Sequence, residues 1–240
     1  MTQQTPRFRG PSLIWLAVVY IVISVAGLVA ASMLRHGAAF VTPFGSDEAL
    51  HQFLVLSPTA VRVSNFCLFA SAVPFGIFAV TAVSRLRFLG VRAAGTNIAL
   101  LGGFIATIAL LLSGAVGWIL SVPEVLDSAQ VTKAIVFLNF LLGGTVFAVG
   151  AGLLAAGVSV TCYFTRLLPQ WMVALGMLVA IAGELSSLSL IAYPANFFIP
   201  ITRFVGFVWM ISVAVGLAKN RTAANVAHGG DSPFMASGAN

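Results

Sequence analysis

Six apolar stretches, each long enough to cross a bilayer, constrain this chain more than any other feature: residues 12–33, 61–83, 93–120, 134–163, 171–192 and 201–218. About 20 helical residues span the hydrocarbon core. No water is available there to satisfy backbone N–H and C=O groups, so runs of this length and continuity must be helical. The expected fold is therefore all-α: a polytopic bundle of six transmembrane helices over residues 1–218. Residues 219–240, with Gly229, Gly230, Pro233 and Gly238 and no hydrophobic periodicity, are expected to be a disordered tail.

Charge supports the same class. Only 8% of residues are charged, against about 25% in soluble domains, whose surfaces must be hydrated. The net charge of +6 does not indicate nucleic acid, because the basic residues sit between apolar runs rather than on one aromatic-interleaved face. Of the 12 cations, Arg7, Arg9, Arg85, Arg87, Arg92, Arg166, Lys219 and Arg221 fall at one end of the helices, and Arg35, Arg62, Lys133 and Arg203 at the other. Lys and Arg are retained in the cytoplasm, which predicts that both termini are cytoplasmic. Asp47, Glu48, Glu124 and Asp127 then lie outside, with Asp231 in the cytoplasmic tail.

The first stretch follows Arg7 and Arg9 and ends in Val29-Ala30-Ala31-Ser32, which faintly resembles a signal-peptide cleavage site. Its apolar run is longer than a signal h-region, so an uncleaved span is expected. In the loop after it, Ser46 before Asp47 and Glu48, followed by residues 49–56 and Pro58, predicts a short external helix lying on the membrane or over the bundle mouth. Asn220-Arg221-Thr222 matches a glycosylation sequon but falls on the cytoplasmic side. Ser84-Arg85-Leu86 with Gly95 is echoed by Thr165-Arg166-Leu167 with Gly176, a weak internal repeat.

Few residues carry chemistry. Gly144, Ala148, Gly152 and Ala156 form a ladder at every fourth position, the pattern that lets helix backbones approach closely in lipid. Gly95, Ala99 and Gly103, with Ser113 and Gly117, repeat it one span earlier, so the third and fourth spans are expected to be central. The ladder can face its own bundle, a second copy or another membrane protein. Glu184 is the sole acid inside a span and needs a partner or a proton. Arg203 enters from the same end on the next helix, so either a Glu184–Arg203 pair or a proton- or substrate-coupled carboxylate fits. Arg62, Lys133 and Arg203 each begin a helix, where the macrodipole disfavours a cation. With Asn65 and Asn139 nearby they form a candidate external anion site, or else they snorkel to phosphates and pair with the outer acids. Pro74 predicts a kink in the second span. Cys67 and Cys162 lie in apolar runs and read as small hydrophobes, no histidine lies in a span, and no catalytic motif is present, so neither metal nor cofactor is expected.

Residues 166–172, Arg-Leu-Leu-Pro-Gln-Trp-Met, followed by Gly176 and later by Phe207-Val208-Trp209-Met210, resemble the RLIPRWL…G and closing WLIVKG-like pattern of a bacterial six-helix membrane family, domain-of-unknown-function family 4386. The likeness is best over residues 133–217, and Arg203 stands where that family has a Glu before the final Trp. The resemblance implies a six-span inner-membrane fold and no established activity. The functional expectation is an inner-membrane protein that binds or passes a small or lipidic molecule from its outer half. A structural subunit docking a membrane partner through the ladder, and an intramembrane enzyme using Glu184, are the alternatives.

Overall fold

The computed structural model describes residues 10–35 and 43–229, with 219–229 as backbone alone. Arg7, Arg9, His36 and residues 230–240 lie outside the described residues. The described chain is all-helical and holds six helices long and apolar enough to span a membrane. They are α1 (Leu13–Met33), α3 (Pro58–Phe88), α4 (Ala94–Ile119), α6 (Ala129–Phe140) continuing through a π-helical turn (Leu141–Val146) into α7 (Phe147–Thr165), α8 (Gln170–Leu185) extended by a 3-10 turn to Leu190, and α9 (Phe198–Gly229) entered by a 3-10 turn from Tyr193. Two short helices, α2 (Asp47–Leu56) and α5 (Pro123–Leu126), fill connections at one end, here termed the α2 end. Large apolar side chains such as Trp15, Phe66 and Phe104 are exposed around the outside, as a lipid-facing surface requires.

Chain order is spatial order. Helix α1 packs on α3, α3 on α4, α4 on α7, α7 on α8 and α8 on α9, and α9 returns to α1, closing a ring. Its centre is aromatic: Tyr20 lies 5.1 Å from Phe75 and 5.5 Å from Phe207, and Phe75 lies 5.7 Å from Phe147, between ring centroids. Lipid is as apolar as these side chains, so close packing rather than expulsion from water holds the helices together. Helices α4 and α7 meet almost backbone to backbone. A Cβ at Gly150 would stand 2.6 Å from the Ala106 nitrogen and 2.9 Å from Gly102 O, and one at Gly157 would stand 2.8 Å from Ala99 Cα.

The short external helix forms as its sequence signals demand. The Ser46 hydroxyl accepts from the Ala49 N–H at 3.3 Å, Asp47 and Glu48 occupy the first turn, and Pro58 opens α3 immediately beyond. Leu50 and Leu54 of α2 bury against Val61, Leu120 and Val136, which lays α2 across the bundle end rather than out on the membrane. Pro74 lies buried inside α3, which continues through it. The backbone of α9 extends to Gly229. The internal repeat does not extend to the turns: Arg85 is inside α3, whereas Arg166 is the left-handed C-cap of α7 at φ 53°, a role that Gly90 at φ 86° takes in the earlier connection. The last two spans are joined through a pair of 3-10 turns, Ser186–Leu190 and Tyr193–Phe197.

Candidate functional site

Arg203 lies in the second turn of α9 and crosses the bundle interior rather than turning toward α8. Its Nη2 donates to Gly143 O in the π-helical turn at 2.6 Å, and its Cζ sits 4.9 Å from the Phe147 ring centroid. Its Nε is buried without a hydrogen-bond partner. The π turn explains how a backbone carbonyl becomes available. Widening a helix to the i+5 pattern interrupts the ordinary ladder, and such turns recur at functional sites. The paired Gly143 and Gly144 leave the widened turn free of side chains, so that Ser113 and Ile199 pack directly against it. Thr145 Oγ1 and Ser189 Oγ, 2.8 Å apart, tie the same turn to the chain after α8.

The expected Glu184–Arg203 pair does not form. Gly183 faces α7, where a Cβ would come within 2.7 Å of Gly152 Cα, so the next residue, Glu184, is rotated to the exposed outer face of α8. Among the described residues Lys133 Nζ pairs with Asp47 Oδ1 at 2.7 Å, on the surface at the α2 end. Arg203 therefore has a carbonyl and an aromatic face as neighbours, with no carboxylate among the described residues to compensate it. A guanidinium at membrane depth costs roughly 2.5–3.5 kcal/mol even on the most lenient scale. Cation–π contact offsets about 0.5–2 kcal/mol of this.

The guanidinium borders a cavity of about 150 Å³ between α1, α3 and α9. Its polar wall is Tyr20 and Ser24 of α1, Ser64 and Asn65 of α3, and Arg203. Tyr20 and Ser24 stand one turn apart on α1, so both reach the same side of that helix. Asn65 donates through Nδ2 to Val61 O at 2.8 Å, while its Oδ1 and the Asn139 Nδ2 converge on the bare backbone of Gly117. Ser113 Oγ donates to Asn139 Oδ1 at 2.5 Å. Behind the cavity, a polar seam thus runs from Asn65 through Gly117 to Asn139 and Ser113.

Of the residues singled out from sequence, Arg203 and Asn65 share the cavity and Asn139 adjoins Asn65. The other three do not line this cavity, although Arg62 shares a second, outer groove with Asn65, Phe66, Phe69 and Trp118. Arg62 donates through Nε and Nη2 to Ser121 Oγ and O, both at 3.3 Å. Lys133 is held by Asp47, and Glu184 faces outward. The three cations at helix starts therefore do not converge on one anion site. The small-residue ladder lies inside the bundle: Gly144 abuts Ile199 of α9, Ala148 and Gly152 meet Gly183 of α8, and Ala156 packs against the main core. Sequence reasoning missed Tyr20 and Ser24, whose signal was two hydroxyls at helical spacing in an otherwise apolar span. It also missed the π turn, whose signal was the Gly143-Gly144 doublet. Comparison with family models, with curated proteins and with solved structures found no match to this chain.

Proposed function

We propose that the protein is a multi-pass protein of the bacterial inner membrane that binds or passes a small anionic or lipidic molecule in a polar cavity in its outer half, with Arg203 as the charged contact. The observation that carries this reading is that Arg203 has no counter-charge among the described residues. A bundle that buries a guanidinium beside a cavity, and offers it only neutral neighbours, is costly unless an anion completes the site. Two further observations favour binding over the alternatives. The ladder of Gly144, Ala148 and Gly152 is already occupied by α8 and α9, which leaves it unavailable as a docking seam for another protein. Glu184 is remote from the polar cavity, which weakens an enzyme built on that carboxylate. Kinship with the six-helix family that residues 166–176 and 207–210 resemble is part of the proposal, supported by the six-span architecture.

Native mass spectrometry of protein released from membranes tests the reading. Wild type is expected to retain an anionic adduct that Arg203→Met loses and Arg203→Lys keeps in part. An identical adduct pattern in all three would contradict it. Orientation is tested separately: alkaline phosphatase fused after Ser128 should be active and after Gly90 silent, and the reverse would invert the bundle.

A further inference from the structure

The cavity at Arg203 has a polar and an apolar part. One turn beyond Ser24 and Ser64, on the same helix faces, stand Leu28 of α1 and Leu68 of α3, with Leu110 of α4 completing the apolar part. Leu28 lines the cavity and is also 47% exposed on the outside of α1, so cavity wall and lipid-facing surface join at this residue. Helix α1 is the loosest wall of the bundle: 22% of its central window is buried, against 39–50% for the other five spans. Its contact with α3 is tightest at Gly27, where a Cβ would stand 2.8 Å from Cys67 Cβ. Leu28 and Ala31, on the α2-end side of that contact, border the opening.

Size narrows the ligand further. At about 150 Å³ the cavity is smaller than the roughly 300–1,000 Å³ that encloses a whole drug-sized ligand. It has room for a head group, whose remainder must leave through the apolar side. The polar wall supplies one positive charge and the side chains of Tyr20, Ser24, Ser64 and Asn65, of which Ser64 Oγ and Asn65 Nδ2 also donate to Val61 O, with no carboxylate among its residues. That combination suits a head with one negative charge and several acceptor oxygens, a carboxylate or phosphate ester. Resting on the reading of Arg203 as an anion contact, we propose that the ligand is an anionic amphiphile that enters sideways from the bilayer past Leu28, its head on Arg203 and its chain between α1 and α3.

The test uses the full chain in phosphatidylcholine nanodiscs, with dodecyl phosphate and laurate as amphiphilic probes, inorganic phosphate and acetate as free anions, and dodecanol as the uncharged chain. Saturable rises in Tm are expected with dodecyl phosphate or laurate, and none with the free anions or dodecanol at equal concentration. Arg203→Met should weaken binding at least tenfold, and Arg203→Lys by less. A mid-chain diazirine on the amphiphile should label Leu28, Ala31 and Leu68. Equal stabilisation by inorganic phosphate or acetate would overturn the amphiphile while leaving the anion site standing. Equal stabilisation by dodecanol, labelling confined to the lipid-facing groove at Phe66, Phe69 and Trp118, or no response to any probe would overturn both. If Arg203→Met does not fold, the labelling pattern and the Arg203→Lys titration decide the same question.

Discussion

Two helix seams in this bundle are built on glycine, and they differ in what the glycine achieves. Between α4 and α7, Gly95, Gly102, Gly150 and Gly157 bring the two backbones together along their length. Between α1 and α3 the approach is closest at Gly27, and beyond it the helices part around a cavity with hydroxyls on both walls. The first seam gains van der Waals contact that bulky side chains would prevent. The second, nearly as rich in contact, also borders a polar space beside a guanidinium that has no carboxylate partner among the described residues. One bundle thus separates the helices that hold it together from the helices that can admit a ligand, a division expected where function needs a part of low stability.

The sharpest way to break this comparison is to overfill the dry seam. Gly150→Leu must push α7 away from Ala106 and Gly102, and should cost at least about 3 kcal/mol or prevent recovery of folded protein. A Tm within a few degrees of wild type would show that α4 and α7 are not packed as described. Smaller effects belong to the open seam. Gly27→Ala places a methyl against Cys67, a side chain on a helix that can give way, so a loss of about 1 kcal/mol is expected. Adding Cys67→Gly should cost less than the two single changes summed, and strict additivity would argue against contact at this point. At the surface, Lys133→Gln removes the exposed pair with Asp47 and should change stability by no more than about 0.5 kcal/mol. A loss above 1 kcal/mol would mean that this pair anchors α2 to the bundle end.

The spans were legible in the sequence because the bilayer leaves an apolar run only one way to satisfy its backbone. The cap on α2 was legible for a local reason: Ser46, Asp47 and Glu48 act within one turn. The site was legible only in part. Arg203 stood out as a cation inside a span, but its partner was inferred from nearness in sequence, whereas contact depends on helical phase. The glycine at 183 turns α8 toward α7, and that rotation carries Glu184 outward. Gly143 O could not be foreseen as an acceptor, because the sequence reads as one continuous helix and gives no sign of which carbonyl Arg203 reaches. The cavity itself depends on how α1 meets α3, a tertiary relation that hydrophobic periodicity does not encode.

The most direct test of the Arg203 site is a high-resolution structure of the protein extracted with its native lipids, inspected between α1 and α3. The account predicts elongated density whose head lies within hydrogen-bond distance of the Arg203 guanidinium and whose chain passes Leu28. A cavity holding only water, or an acid of this same chain closing on Arg203, would contradict it.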